Sequence, residues 1–343
     1  MPELRHDPIQ KRWVIVATER QNRRTWFEKE LTLPGTPICP FCPGNEALTP
    51  PEILANRENG GENDSSWSLR VIPNKYPALQ IEGTADRRAD GIYDRMNGIG
   101  AHEVVIEARS HVQHMADMST DHVTRIFEVY RQRLVDLMKD ERFKYVMIFK
   151  NHGSDAGASI AHPHTQIIAT PVTPKTVSLE LESAREHFRL KERCIFCDIL
   201  DEELSHGERL VYMSDHFVAL CPYASRFPYE VIVLPRAHAH DYSAAPAHIM
   251  RDLAHTMQVV LAKLRLAVND PPFNFLFHTS PNASHTRRRA NYWDTLAYDW
   301  HWHVEVLPRL TRTAGFEWGS GFYINPTPPE LAADTLRRAT VNV

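Results

Sequence analysis

The feature that most constrains this chain is that it is written twice. Four of its five cysteines form two CxxC pairs, Cys39–Cys42 and Cys194–Cys197, and each pair opens the same order of events. A strand follows, then a strand leading to a histidine, an amphipathic helix, another strand, and a strand carrying an HxH motif. His111 and His238 are equivalent in this scheme, as are His162-Pro163-His164 and His301-Trp302-His303. Self-similarity of this kind is the mark of an internal duplication. It divides the chain into halves at residues 1–175 and 190–330, and strand-rich halves with one long helix each predict an α+β fold.

The periodicity carries the detail. In the first half, strands are expected at Arg12 to Ala17, His102 to Glu107 and Tyr145 to Phe149. Between the last two, Val123, Ile126, Phe127, Tyr130, Leu134, Leu137 and Met138 recur at intervals of three and four, which predicts a helix covering one face of a sheet. Arg125, Glu128, Arg131, Arg133 and Asp136 take its other face, with Ser119 or Thr120 as cap and Asp121 in the first turn. In the second half, strands at 217–221, 230–234, 273–277 and 301–307 flank a helix with Ile249, Leu253, Met257, Val260, Leu261 and Leu264 on one side. The polar, Gly-containing stretch 56–66 reads as a loop or insert.

Composition excludes several classes. A chain of 343 residues with 43% hydrophobic and 24% charged residues suits a globular protein of about two domains. No apolar run approaches the length of a membrane span, and the N-terminus MPELRHDPIQ is too polar for a signal peptide, so the expected address is the cytoplasm. A net charge of -4 is a poor match for long nucleic acid, though small anions can bind where positive charge is concentrated.

In a reducing compartment, paired cysteines favour metal or redox chemistry over disulfides. A CxxC turn brings two thiolates close enough for one tetrahedral ion, and each half supplies histidines later in the chain. The candidate sets are Cys39, Cys42, His111 and His162 in the first half, and Cys194, Cys197, His238 and His301 in the second. All eight are read at strand ends or turns. Ligand softness favours zinc, two ions per chain, and neither pair opens a recognisable strand-to-helix redox unit. Cys221, in an apolar strand, reads as a small buried residue.

The densest chemical signal is Asn151-His152-Gly153-Ser154-Asp155-Ala156-Gly157-Ala158-Ser159-Ile160-Ala161-His162-Pro163-His164-Thr165-Gln166. Gly157 and its small neighbours permit close backbone approach to a ligand, and N–H groups there, with the Ser159 hydroxyl, can hold phosphate oxygens. If His162 to Gln166 is extended, His162, His164 and Gln166 share one face. That face can offer a metal ligand, a nucleophile and an amide donor. A neutral imidazole suits attack on phosphorus, and an amide beside it can steady the charge that builds on oxygen. The second imidazole nitrogen then needs an acceptor, such as a backbone carbonyl, to fix the tautomer. His303 lacks both the Gly/Ser lead-in and the following glutamine, so it is not expected to act likewise.

Over almost its full length the chain resembles the galactose-1-phosphate uridylyltransferase family of the histidine-triad superfamily. The resemblance is carried by RWVIVATERQNRR, CPFCPGNE, RVIPNKYPAL, GAHEVVIEARSH, NHGSDAGASIAHPHTQ and VALCPYASRFPYEVIVLPRAH. It implies two fused histidine-triad-like halves, each a mainly antiparallel sheet with a long helix, usually as a homodimer whose sites are completed by both subunits. It implies that His164 becomes uridylylated, with Gln166 and Ser159 supporting it, and that the first Cys/His set holds structural zinc. Arg20 and Arg23 match residues near the phosphates, Asn74 the nucleotide segment, and Asn151, Gly157 and Ser159 the lining of the phosphate and sugar region. The tail containing Glu317 matches the part that recognises hexose phosphate.

The implied reaction exchanges UMP between UDP-glucose and galactose 1-phosphate in two steps, as part of galactose and carbohydrate metabolism. The Cys194–Cys197 pair departs from the best-known members and is similar to the ADP-glucose phosphorylase branch. The alternative reading is therefore adenylyl transfer from ADP-glucose or a dinucleotide to phosphate. A reading of a different class, a zinc-stapled nucleic-acid binder, rests on Thr286-Arg287-Arg288-Arg289 with Tyr292 and Trp293 nearby.

Overall fold

The computed structural model describes residues 2–20, 38–283 and 293–343, with Arg20 described in its backbone alone. Arg23, the 286–289 run and Tyr292 lie outside the described residues. In chain order the elements are β1 (Glu3–Asp7), β2 (Arg12–Val16), β3 (Leu54–Asn56), β4 (Leu69–Pro73), β5 (Arg88–Asp90), β6 (Tyr93–Arg95), β7 (Ala101–Ile106), α1 (Thr120–Leu137), β8 (Tyr145–His152) and β9 (His164–Thr170). There follow α2 (Lys175–Lys191), α3 (Ile195–His206), β10 (Leu210–Met213), β11 (Phe217–Leu220), β12 (Val231–Pro235), α4 (Ala247–Val268), β13 (Phe273–His278), α5 (Leu296–Asp299), β14 (His303–Pro308), α6 (Gly315–Ser320), β15 (Tyr323–Asn325) and α7 (Pro329–Arg338).

The fold is α+β, and the duplication is visible in the order of its strands. One sheet of ten strands runs β10-β11-β12-β14-β13-β8-β9-β7-β4-β3. Read outward from its centre, each half presents the same succession: β8, β9, β7, β4, β3 on one side and β13, β14, β12, β11, β10 on the other. The halves join where β8 and β13 pair antiparallel, with Phe275 opposite Lys150 and Phe277 opposite Ile148. Every pairing within this sheet is antiparallel. Joining two half-sheets in this way removes two open strand edges, which would otherwise be sites of aberrant pairing.

Side-chain alternation then sorts the residues between two faces. Thr165, Ile167 and Ala169 of β9 turn to one face, where they meet α1 and α4, which pack against each other and fill the main core. His164 and Gln166 turn to the opposite face. The α1 stripe buries Val123, Ile126, Phe127, Tyr130, Leu134 and Leu137 as the periodicity predicts, and Ser119 is the cap, accepting from His122 N–H. Arg133 differs from expectation. It is buried because its guanidinium makes a two-bond pair with Glu103 of β7, at 2.8 and 2.7 Å.

Two further differences have physical reasons. The segment between the halves is helix α2, whose Val177, Leu181 and Ala184 are buried on the second half. The second CxxC is also not a free turn: Cys194 is the residue preceding α3 and Cys197 lies in its first turn. Away from the large sheet, β1, β2 and β15 form a small sheet, with β15 parallel to β2, so that the C-terminal part is tied to the N-terminal strands.

Between α1 and the sheet lies a buried charge. Glu107 accepts from Lys150 Nζ, Thr165 Oγ1 and Tyr130 Oη, and Lys150 also donates to the His164 carbonyl at 3.1 Å. Burial works against ionisation of Glu107, but Lys150 and the two hydroxyls outweigh it, and its pKa lies below the ordinary value of 4.5. A depressed carboxylate pKa contributes stability that is complete above the unfolded value and is lost as pH falls toward the folded one. Glu107→Ala, which strands a buried ammonium, is expected to cost about 3–5 kcal/mol in denaturant unfolding. Glu107→Gln should in addition weaken the loss of stability as pH falls below 4.5. An alanine variant as stable as the parent would contradict this account.

Candidate active site

His164 is the first residue of β9, and its environment is built from the turn before it. The turn leaves β8 through Gly153, at φ +82°, where a Cβ would meet Pro272 Cβ at 2.9 Å, so glycine is required twice over. It passes Gly157, at φ +89°, with Ser159 exposed at its tip, and returns through Pro163. Asn151 closes the turn from below. Its Oδ1 accepts from Asn274 Nδ2, which also donates to the Ala156 carbonyl, both at 2.8 Å. Arg309 Nε in turn donates to Asn274 Oδ1.

The His164 ring is held on two sides. Its Nδ1–H donates to the His162 carbonyl at 2.8 Å, which leaves the lone pair on Nε2. The Phe41 ring meets it edge-on at 5.4 Å. Burial, opposed first by that carbonyl bond, holds the His164 pKa below 6.5, with Lys150 adding to the lowering. A neutral imidazole with a fixed tautomer and a directed lone pair is the form a nucleophile needs. Gln166, two residues on, lies on the same face, and its Oε1 is 2.8 Å from His102 Nε2. Asn74 reaches the same nitrogen at 3.1 Å.

His164, Gln166, His162 and Asn74 are thus brought to one side of the sheet, with Asn151, Gly157 and Ser159 in the adjoining turn. Glu317 is not joined to them by any contact among the described residues; its carboxylate accepts from Ala314 N–H and caps α6. His102, Asn274, Lys150 and Arg309 escaped sequence reasoning. Alternation in HEVVIE places His102 on one face with Val104 and Ile106, but only the pairing of β7 with β9 shows that this is the His164 face. Two cavities of about 640 and 500 Å³ lie over the second half and touch neither His164 nor Gln166, so the chemical groups and not the volume mark this site.

Both Cys/His sets are assembled. The donor atoms of Cys39, Cys42, His111 and His162 all lie within 4.8 Å of one another, as do those of Cys194, Cys197, His238 and His301. His162 donates Nε2–H to the Ala108 carbonyl at 2.7 Å and turns Nδ1 toward the thiols, 3.6 Å from Cys42. His238 does the same through the Ala297 carbonyl, with Nδ1 3.5 Å from Cys197. Lone pairs converging on sulfur in this way call for a cation between them, and anchoring the far nitrogen on a carbonyl is how ligand histidines are oriented. The Cys194 S–H, ahead of His238 and His301, lowers the Cys197 thiol from its ordinary value. Two thiols and two imidazoles in each set fit soft divalent ions such as zinc.

The second half repeats the frame without the site. His303 donates Nδ1–H to the His301 carbonyl at 3.0 Å, and Phe196, the counterpart of Phe41, lies tilted against it at 5.0 Å. Glu305 replaces Gln166, however, and Glu180 from α2 reaches in to bind His278 at 2.7 Å. Arg226 joins Glu305 to Glu230. His303 is 1% exposed inside this charge cluster.

Fold and site together define a duplicated α+β enzyme built to present one imidazole beside an amide on a sheet surface. The family models described as "Galactose-1-phosphate uridyl transferase, N-terminal domain" and "Galactose-1-phosphate uridyl transferase, C-terminal domain" match residues 1–174 and 180–317. The chain belongs to this family of histidine-triad-type nucleotidyltransferases. It is 33% identical to an ADP-glucose phosphorylase of Arabidopsis thaliana over 99% of this chain and 93% of that one. It is 29% identical to a galactose-1-phosphate uridylyltransferase of Thermotoga maritima over 100% of both chains. A crystal structure of an Arabidopsis thaliana ADP-glucose phosphorylase with bound ADP-glucose superposes with a TM-score of 0.84 at 32% identity, over 100% of each chain. Among the described residues, no helix is long and apolar enough to cross a membrane.

Metal analysis of the intact chain should give about two zinc equivalents, and Cys194→Ser should leave about one. Chelation should lower the unfolding temperature, because ion binding is coupled to folding. A single equivalent in the parent chain would remove the second site.

Proposed function

We propose that the chain is a nucleoside-diphosphate-sugar phosphorylase that carries AMP on His164, with ADP-glucose as donor and inorganic phosphate as acceptor. In the first step, His164 Nε2 attacks the α-phosphorus and the bond to glucose 1-phosphate breaks. In the second, a phosphate oxygen attacks the same phosphorus, ADP forms and the imidazole is released. Gln166 donates N–H to a non-bridging oxygen as charge builds there. Asn74, Asn151, Gly157 and Ser159 line the nucleotide and phosphate region. Zinc held by Cys39, Cys42, His111 and His162 would tie the His164 turn to the Cys39–Cys42 turn, and a second ion held by Cys194, Cys197, His238 and His301 would brace the other half. A cytoplasmic homodimer is part of this reading, through the family resemblance.

The observation that carries the chemistry is the Nδ1–H bond from His164 to the His162 carbonyl, which leaves Nε2 as the only nucleophilic nitrogen of the ring. The choice of adenylyl and phosphate is supported by the identity to the Arabidopsis phosphorylase and by the second Cys/His cluster, which the resemblance attaches to that branch. This reverses the order expected from sequence, where exchange of UMP with galactose 1-phosphate led. That exchange stays as the second reading, favoured by the full-length match to the Thermotoga transferase.

Intact-mass analysis after brief exposure to ADP-glucose should show an added adenylyl group, which phosphate then removes as ADP. UDP-glucose with galactose 1-phosphate should turn over far more slowly. His164→Ala should abolish both half-reactions. Efficient UMP exchange without phosphorolysis of ADP-glucose would reverse the two readings.

A further inference from the structure

We infer that His102 is a positioning residue for the transfer, holding the side-chain oxygen of Gln166 so that the amide nitrogen is the end offered to phosphate at His164. The inference rests on the reading of His164 as the nucleotidyl carrier.

The argument begins with a backbone amide. Ala78 N–H lies 3.2 Å from His102 Nδ1, and a backbone N–H can only donate. Nδ1 must therefore hold the lone pair, and in the neutral ring the proton sits on Nε2. That N–H is directed at the Gln166 side chain, 2.8 Å away, so the atom facing it has to be oxygen. The two ends of a glutamine amide are otherwise interchangeable in shape, and only the hydrogen-bond network distinguishes them. Here the network is anchored on the main chain. With Oε1 engaged, both hydrogens of the Gln166 amide are left for the open face.

The same imidazole adjoins a second amide. Asn74 N–H donates to the His102 carbonyl at 2.7 Å, and Asn74 Oδ1 accepts from Tyr76 N–H at 2.9 Å. The Asn74 amide nitrogen lies 3.1 Å from the same His102 Nε2. Without this histidine, Gln166 can present oxygen to a phosphate oxygen, which repels where it should stabilise.

The test is a double-mutant cycle on the rate of adduct formation at His164, measured by rapid quench with ADP-glucose and, separately, UDP-glucose. His102→Phe keeps a ring and removes the donor. It is expected to slow the step about 10- to 100-fold, less than the roughly 100- to 1,000-fold of removing such a donor outright, because the amide is misoriented and not lost. Gln166→Ala should lose at least as much, and the double variant should be no slower than Gln166→Ala alone, because His102 acts through that amide. His102→Gln, which retains an N–H toward Gln166, should recover most of the rate. If the phenylalanine variant does not fold, His102→Ala runs the same cycle. Multiplicative losses in the double variant, or a phenylalanine variant at parental speed, would overturn the inference while leaving the function intact. Absence of any His164 adduct in the parent chain with either donor would overturn both.

Discussion

A single hydrogen bond, from His164 Nδ1–H to the carbonyl two residues earlier, decides what the rest of this structure can do. It is formed inside the tripeptide His162-Pro163-His164, so it depends on how that tripeptide is held at each end. His162 is held by its own ring, with Nε2–H on the Ala108 carbonyl and Nδ1 among the thiols. His164 is held by its carbonyl, which accepts from the buried Lys150 ammonium, itself paired with Glu107. The Cys/His cluster and the buried ion pair are therefore the two supports of the proposed nucleophile.

The duplication supplies an internal control. His303 makes the same bond to His301, opens the same kind of strand and has an aromatic neighbour from the middle of a CxxC. It is nonetheless enclosed by Glu180, His278 and Glu305, with an acid in the position of the amide. The orienting bond is thus common to both halves, and the surroundings are what distinguish them. A proposed site also needs a donor beside the imidazole, and the first half places Gln166, held by His102, where the second half has Glu305.

Much of this was legible in the residues. The α1 stripe, the two Cys/His sets and the shared face of His164 and Gln166 follow from periodicities of 3.6 and 2 and from ligand chemistry, which are local properties; His162, expected on that face, lies before β9 with its ring turned to the thiols. What was not legible depends on pairing across distance. Glu180 hid helix α2 because a carboxylate sits in its buried stripe, satisfied by Gln10 and His278 from far along the chain. Arg133 was read as solvated because Glu103 is its partner only once α1 lies on β7. His102 carried no signal until β7 was known to lie beside β9. Glu317 shows the reverse case, a residue singled out by resemblance whose contacts among the described residues are those of a helix cap.

The position of the nucleotide on the imidazole tests the central claim most directly. In a chain labelled with ¹⁵N in its histidine rings and loaded from ADP-glucose without acceptor, phosphorus–nitrogen coupling identifies the bonded nitrogen. The account predicts coupling to Nε2 of His164, with Nδ1 still protonated against the His162 carbonyl. Coupling to Nδ1, or to the ring of any other histidine, would contradict it.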